Sequence, residues 1–250
     1  MHITLTGNLG SGKSTIAKIM SEKYGFEIYS TGSIIRELAK ERHISVLEMN
    51  KLMQQDNSFD HIIDERTTQT SVESEKELFF DSRLAWHFAK NAFKVFLSVS
   101  IDEAARRVFN DNKRGNVESY ASLEETKANL IERAHTEDVR YKEIYDIDYF
   151  NLNNYDLVLD STYTKPELLA EVIINEKKRF EHEGGSRFLL SPARLLGDKT
   201  ANTRDNDEIA ETDAVIRKGS EDLEIVSGRA SVEKAAREGF EFVSVKYSAE

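Results

Sequence analysis

Eight residues constrain this chain more than any others: Gly7-Asn8-Leu9-Gly10-Ser11-Gly12-Lys13-Ser14. They satisfy the pattern GxxxxGK[ST] in full. Residues 1–6 before them form a short segment rich in β-branched residues, which reads as a buried strand. After them, Ile16, Ile19 and Met20 recur at helical spacing. Strand, glycine loop and helix in that order form the context in which this pattern binds phosphate. Glycines let backbone N–H groups turn inward around phosphate oxygens. The helix N-terminus adds partial positive charge at the same point. Lys13 reaches the terminal phosphates, and the Ser14 hydroxyl is placed to ligate Mg²⁺. The motif points to a nucleoside triphosphate and leaves kinase, GTPase and ATPase open.

The rest of the chain is predicted to alternate strands and helices. Short apolar runs at 26–29, 77–81, 95–99 and 157–160 read as strands. Helices are predicted from a Ser30 or Thr31 cap through Ile34, Ile35 and Leu38, over 101–110 and 122–143, and from Pro166 to about residue 180. This alternation predicts an α/β fold, a parallel sheet with helices on both faces. Glu183-Gly184-Gly185-Ser186 reads as a linker. It divides a domain at 1–182 from a small α/β accessory domain at 186–250.

Composition narrows the chemistry. The 250 residues contain 45 acidic and 34 basic side chains, net −11, and no cysteine. Disulfides, thiol catalysis, Cys-ligated zinc and iron–sulfur clusters are excluded. The acid excess argues against a nucleic-acid partner, which needs cations to neutralise phosphates. No run approaches roughly 18 consecutive apolar residues, so no membrane partner is expected and a soluble cytoplasmic protein is the default.

Against that acidic background, certain cations and acids fall at informative places. Arg36 lies one turn into the helix after the second strand. Asp81-Ser82-Arg83 ends the LeuPhePhe run, where a carboxylate at the carboxyl end of a parallel strand can hold Mg²⁺ through water. Arg106, Arg107, Lys113 and Arg114 form a basic segment, and Arg133, Glu137 and Arg140 share one face of the following helix. Together they suit a lid over a transferring phosphoryl group.

Read as an ordered set, GNLGSGKSTIAKIM, STGSIIRELAKE, DSRLAW, RYKEIYDID and YDLVLDST resemble the nucleoside monophosphate kinases, most closely cytidylate kinases of the short, archaeal-like kind, over about residues 1–175. The resemblance implies a P-loop kinase fold, ATP and Mg²⁺ as cofactors, and phosphoryl transfer to a small-molecule nucleotide, CMP or dCMP. It assigns Gly7 to Thr15 to ATP, Ser14 and Asp81 to the metal, and Arg36, Arg83 and Glu137 to the acceptor. Lys13, Arg133 and Arg140 take the catalytic role, and 161–164 border the adenine. Thr136 and Asp138 stand where further arginines are expected. That leaves two alternatives, a kinase of another small metabolite and a non-catalytic nucleotide-binding regulator. In the last 65 residues, a strand, Ser227-Gly228-Arg229, a helix, Gly239 and a strand are distantly similar to ParB-like domains. The oligomeric state is left open.

Overall fold

The structure is a computed structural model and describes residues 1–55, 58–111, 120–197, 208–219 and 222–248. Lys113 and Arg114 lie outside the described residues. The chain divides into two compact units, Met1–Thr6 with Lys13–Val95, and Gly7–Gly12 with Phe96–Glu250.

In the first unit, β1 (His2–Gly7) leads to α1 (Lys13–Tyr24), β2 (Glu27–Ser30), α2 (Thr31–Glu41), α3 (Val46–Gln55), α4 (Ser58–Glu73), β3 (Leu78–Asp81) and α5 (Ala85–Phe88). β3 pairs in parallel with both β1 and β2. β1 is buried along its whole length, as expected of a strand covered on both faces. Ser30 starts α2 through a reciprocal cap, its hydroxyl accepting the Ser33 amide while Ser33 accepts the Ser30 amide. α2, α3 and α4 bury Ile34, Leu38, Met49 and Ile63 against one another.

β4 (Ala92–Ser98) runs from the first unit into the second. There follow α6 (Ile101–Phe109), α7 (Leu123–Tyr145), β5 (Leu157–Asp160), α8 (Pro166–Glu183), β6 (Arg187–Leu190), α9 (Pro192–Leu196), β7 (Ile209–Lys218), β8 (Leu223–Ser227), α10 (Arg229–Glu238) and β9 (Phe242–Tyr247). The strands of this unit run in the order β4-β5-β6-β9-β7-β8. β5 and β6 are parallel, as are β7 and β9, whereas β6–β9 and β7–β8 are antiparallel. The parallel sheet expected of residues 1–182 gives way to mixed pairing in the C-terminal part, which was expected only to be α/β. A connection of a few residues joins β7 to β8, and a connection that short can only join antiparallel strands.

Gly184 and Gly185 are both left-handed, φ 68° and 76°. They turn the chain from α8 into β6. Arg179 fixes this turn by donating to their carbonyls at 2.8 and 2.9 Å. Its Nε is held by the buried Glu176, which also takes Arg187. β6, β9, β7 and β8 thus continue the sheet of this unit from β5 outward. The aromatic rings of Phe96, Tyr149, Phe150 and Tyr155 pack edge-to-face or tilted beneath it, and the Tyr155 hydroxyl donates to the Tyr149 carbonyl.

Candidate active site

In the second unit, the phosphate-loop residues 7–12 leave β1 through a conformation that only glycine tolerates. Gly7 has φ 151°, and a Cβ there would stand on the Leu97 carbonyl oxygen. A Cβ on Gly10 would come within 2.9 Å of the Ala104 carbonyl oxygen. Gly12, φ 94°, faces open space instead. Asn8 ties the loop to β4 and its exit, its amide donating to Leu97 and its side-chain oxygen accepting the Val99 amide at 3.3 Å. Leu9 packs on the cluster of Val99, Ala104, Ala105, Val108 and Leu130. Ser11 is buried, and its hydroxyl has no hydrogen-bond partner. A buried hydroxyl is expected to be bonded. Ser11 together with the open side of Gly12 fits a loop shaped for phosphate oxygens.

Arg107 reads this loop from α6. Its guanidinium donates to the Ser161 and Thr162 carbonyls at 2.6 and 2.9 Å, and at 3.4 Å to Gly10. Glu103 holds its Nε at 2.8 Å. α7 carries Arg133, Glu137 and Arg140 on one face; Arg133 and Glu137 are half-buried and Arg140 is exposed. Leu130, one turn before Arg133, anchors α7 in the cluster that also receives Leu9.

The first unit, taken by itself, contains Lys13, Ser14, Thr15, Arg36, Asp81 and Arg83. Lys13 opens α1, and Ser14 and Thr15 are exposed on its first turn. Asp81 ends β3. Burial raises its carboxyl above the ordinary aspartate range, while the charges of Lys13 and Arg83 pull it down. The three ionic groups therefore share one electrostatic environment. Ser82 and Arg83 are pinned by their backbone, because the buried Thr6 hydroxyl donates to both carbonyls. Ser82 also accepts from Thr31 at the start of α2. Arg36 is exposed, with its guanidinium folded back beside Gly32. Trp86 is buried.

The residues present fit Mg²⁺ and a nucleotide triphosphate. Ser14 and Asp81 are hard oxygen donors, too few to cage a metal alone, which matches an ion completed by phosphates and water. Among the described residues there is no cluster of three or more metal-ligating His, Asp or Glu side chains. Nor, among them, is any helix long and apolar enough to cross a membrane.

Sequence reasoning missed Asp160 and Arg194 and gave Arg107 only a general lid charge. The signal for Asp160 was present: like Asp81, it is an acid closing a three-residue apolar strand.

A mostly parallel α/β sheet with helices, in a chain whose first strand runs into the pattern GxxxxGK[ST], is the fold of a P-loop kinase. The sequence matches the cytidylate kinase-like family over residues 2–163. The cytidylate kinase of Methanococcoides burtonii is 35% identical over 184 residues, 74% of this chain and 99% of that protein. The cytidylate kinase of Methanocaldococcus jannaschii is 34% identical over 187 residues, 71% and 100% of the two chains. A crystal structure from Eubacterium ventriosum shares the fold, with a TM-score of 0.52 at 16% identity, over 73% of this chain and 99% of that one. The chain belongs to the cytidylate kinase-like family and is a nucleoside monophosphate kinase.

Proposed function

We propose that the chain transfers the γ-phosphoryl group of ATP to the α-phosphate of CMP or dCMP, giving the diphosphate and ADP, in the cytoplasm. The observation that carries this reading is the grouping of Lys13 and Arg83 around Asp81, in a chain whose glycine loop leads straight into Lys13. Two cations and a metal-holding acid are what a reaction between two anions needs.

An acceptor phosphate oxygen attacks the γ-phosphorus, and the bond to the β,γ-bridging oxygen breaks with its electron pair leaving on ADP. The acceptor is already an anion, so no strong base is required. The chain's task is alignment and charge stabilisation. Lys13 neutralises the phosphates being separated. Arg36 and Arg83 hold the acceptor phosphate, and Arg133 and Arg140 add charge from α7, with Glu137 toward the acceptor ribose. Mg²⁺, held by Ser14 and through water by Asp81, supplies further neutralisation when bound.

The test is steady-state turnover of ATP against CMP, dCMP, UMP, AMP and GMP with detection of ADP. The highest kcat/KM is expected for CMP or dCMP. Absence of transfer to any of the five, or full activity in Lys13→Ala, overturns the reading. Arg36→Ala should raise the acceptor KM by roughly 10- to 100-fold, the loss of one charge-assisted contact of about 1.5–3 kcal/mol.

A further inference from the structure

Asp160 closes β5 and is fully buried. Its Oδ1 accepts from the Thr162 amide at 2.9 Å, the Thr162 hydroxyl at 2.5 Å and Arg194 Nη1 at 2.9 Å. Its Oδ2 accepts the Ser191 amide at 3.1 Å. Arg194, on α9, is only 5% exposed in its side chain. Its guanidinium also reaches the Ser98 hydroxyl at 3.0 Å and Asp222 at 2.5 and 3.1 Å. Four residues beyond Asp160, the buried Thr164 hydroxyl donates to buried Glu241 at 2.5 Å. Both ends of the loop 160–164 are therefore held by side chains or backbone from residues 191–241. In its middle, the Ser161 and Thr162 carbonyls receive Arg107, whose guanidinium continues to Gly10. All these residues lie in one compact unit.

A buried carboxylate needs a matched cation, and losing that partner strands the charge. Arg194 does more than neutralise. Its planar fork meets acceptors in two directions at once, which a lysine cannot reproduce.

We propose that Arg194 is a positioning residue of the ATP site. By fixing Asp160 it orients the Ser161 and Thr162 carbonyls, these orient Arg107, and Arg107 sets the phosphate loop at Gly10. The C-terminal segment thereby belongs to the nucleotide-binding machinery, although the family match stops at residue 163. This inference rests on the reading that the loop 7–14 binds ATP.

The experiment compares the full chain with Arg194→Ala, Arg194→Lys, Asp222→Asn and Glu241→Gln. ATP affinity is measured by calorimetry without acceptor, alongside KM for ATP, KM for CMP, kcat and the melting temperature. Arg194→Ala should weaken ATP binding about tenfold, the scale of a small misplacement of binding groups, while KM for CMP stays within about twofold. Arg194→Lys should recover part of the loss. Asp222→Asn and Glu241→Gln should each weaken ATP by about two- to threefold. A folded Arg194→Ala with wild-type ATP affinity, or equal losses for ATP and CMP, overturns the proposal. If Arg194→Ala does not fold, Asp222→Asn decides, and unchanged ATP affinity there also overturns it. A wild-type chain that binds no ATP marks failure of the underlying reading and takes this inference with it. A wild type that binds ATP, beside variants that bind it equally well, marks failure of the inference alone.

Discussion

The Thr6 hydroxyl donates to the Arg83 carbonyl oxygen at 2.9 Å. One buried side chain at the end of β1 thus fixes the backbone that carries Arg83, the arginine proposed to hold the acceptor phosphate. Thr6→Val keeps the shape and removes the donor. It should cost about 0.5–1.5 kcal/mol by removing the hydrogen bond to partly buried carbonyls, read as a lower melting temperature. KM for CMP should rise more than KM for ATP. An unchanged KM for CMP would show that Arg83 is positioned by other contacts.

Gly7 and Gly12 should respond differently to the same substitution. Gly7→Ala drives a Cβ onto the Leu97 carbonyl oxygen, so the chain should fail to fold or lose several kcal/mol. Gly12→Ala meets no atom within 4 Å. It should cost only the left-handed strain, about 1–2 kcal/mol, while raising KM for ATP. Thermal melts and ATP titrations of the two variants separate clash from function.

Asp81, proposed to hold the metal through water, is expected to couple pH to activity. Burial raises its carboxyl above the ordinary aspartate value, about 3.9. The acid limb of kcat/KM should therefore sit above that value and disappear in Asp81→Asn. The sign for stability is the reverse of an ordinary ion-paired acid. With the folded value above the unfolded one, the folded chain binds more protons in that interval, so stability rises as pH falls through it. At pH 7 the ionised form is the costly one. Asp81→Asn should melt higher at pH 7 than the wild type while transferring phosphoryl about 10²-fold more slowly. A variant that melts lower would show that Lys13 and Arg83 outweigh burial.

Cutting the chain after residue 182 removes β6, β7, β8 and β9. It uncovers β5 and strands Asp160 without Arg194. An unpaired buried charge alone costs about 3–5 kcal/mol. The truncated chain is expected to be insoluble or partly unfolded, as judged by circular dichroism and gel filtration. A soluble, active fragment would establish instead a self-sufficient kinase domain with a separate accessory segment.

Local chemistry made much of this legible in the sequence. The phosphate loop, the Ser30 cap, the strand ending at Asp81 and the face of α7 bearing Arg133, Glu137 and Arg140 each depend on residues close in sequence. What escaped depends on distant partners. Gly184 and Gly185 carry the same composition whether they form a free linker or a turn. Only Arg179 and the pairing of β6 with β5, about 30 residues upstream, make them a turn. Asp160 and Arg194 are 34 apart, a separation at which no periodicity operates.

Pairing of β9 against β6 has a consequence for association. An unpaired strand edge is a template for other chains and a route to aggregation. With β6 enclosed, the outermost strand on this side is β8, five residues long and carrying Glu224, which pairs with Arg217 of β7. A short strand with a charged rim is a poor template, so this edge of the sheet offers little for another chain to pair with.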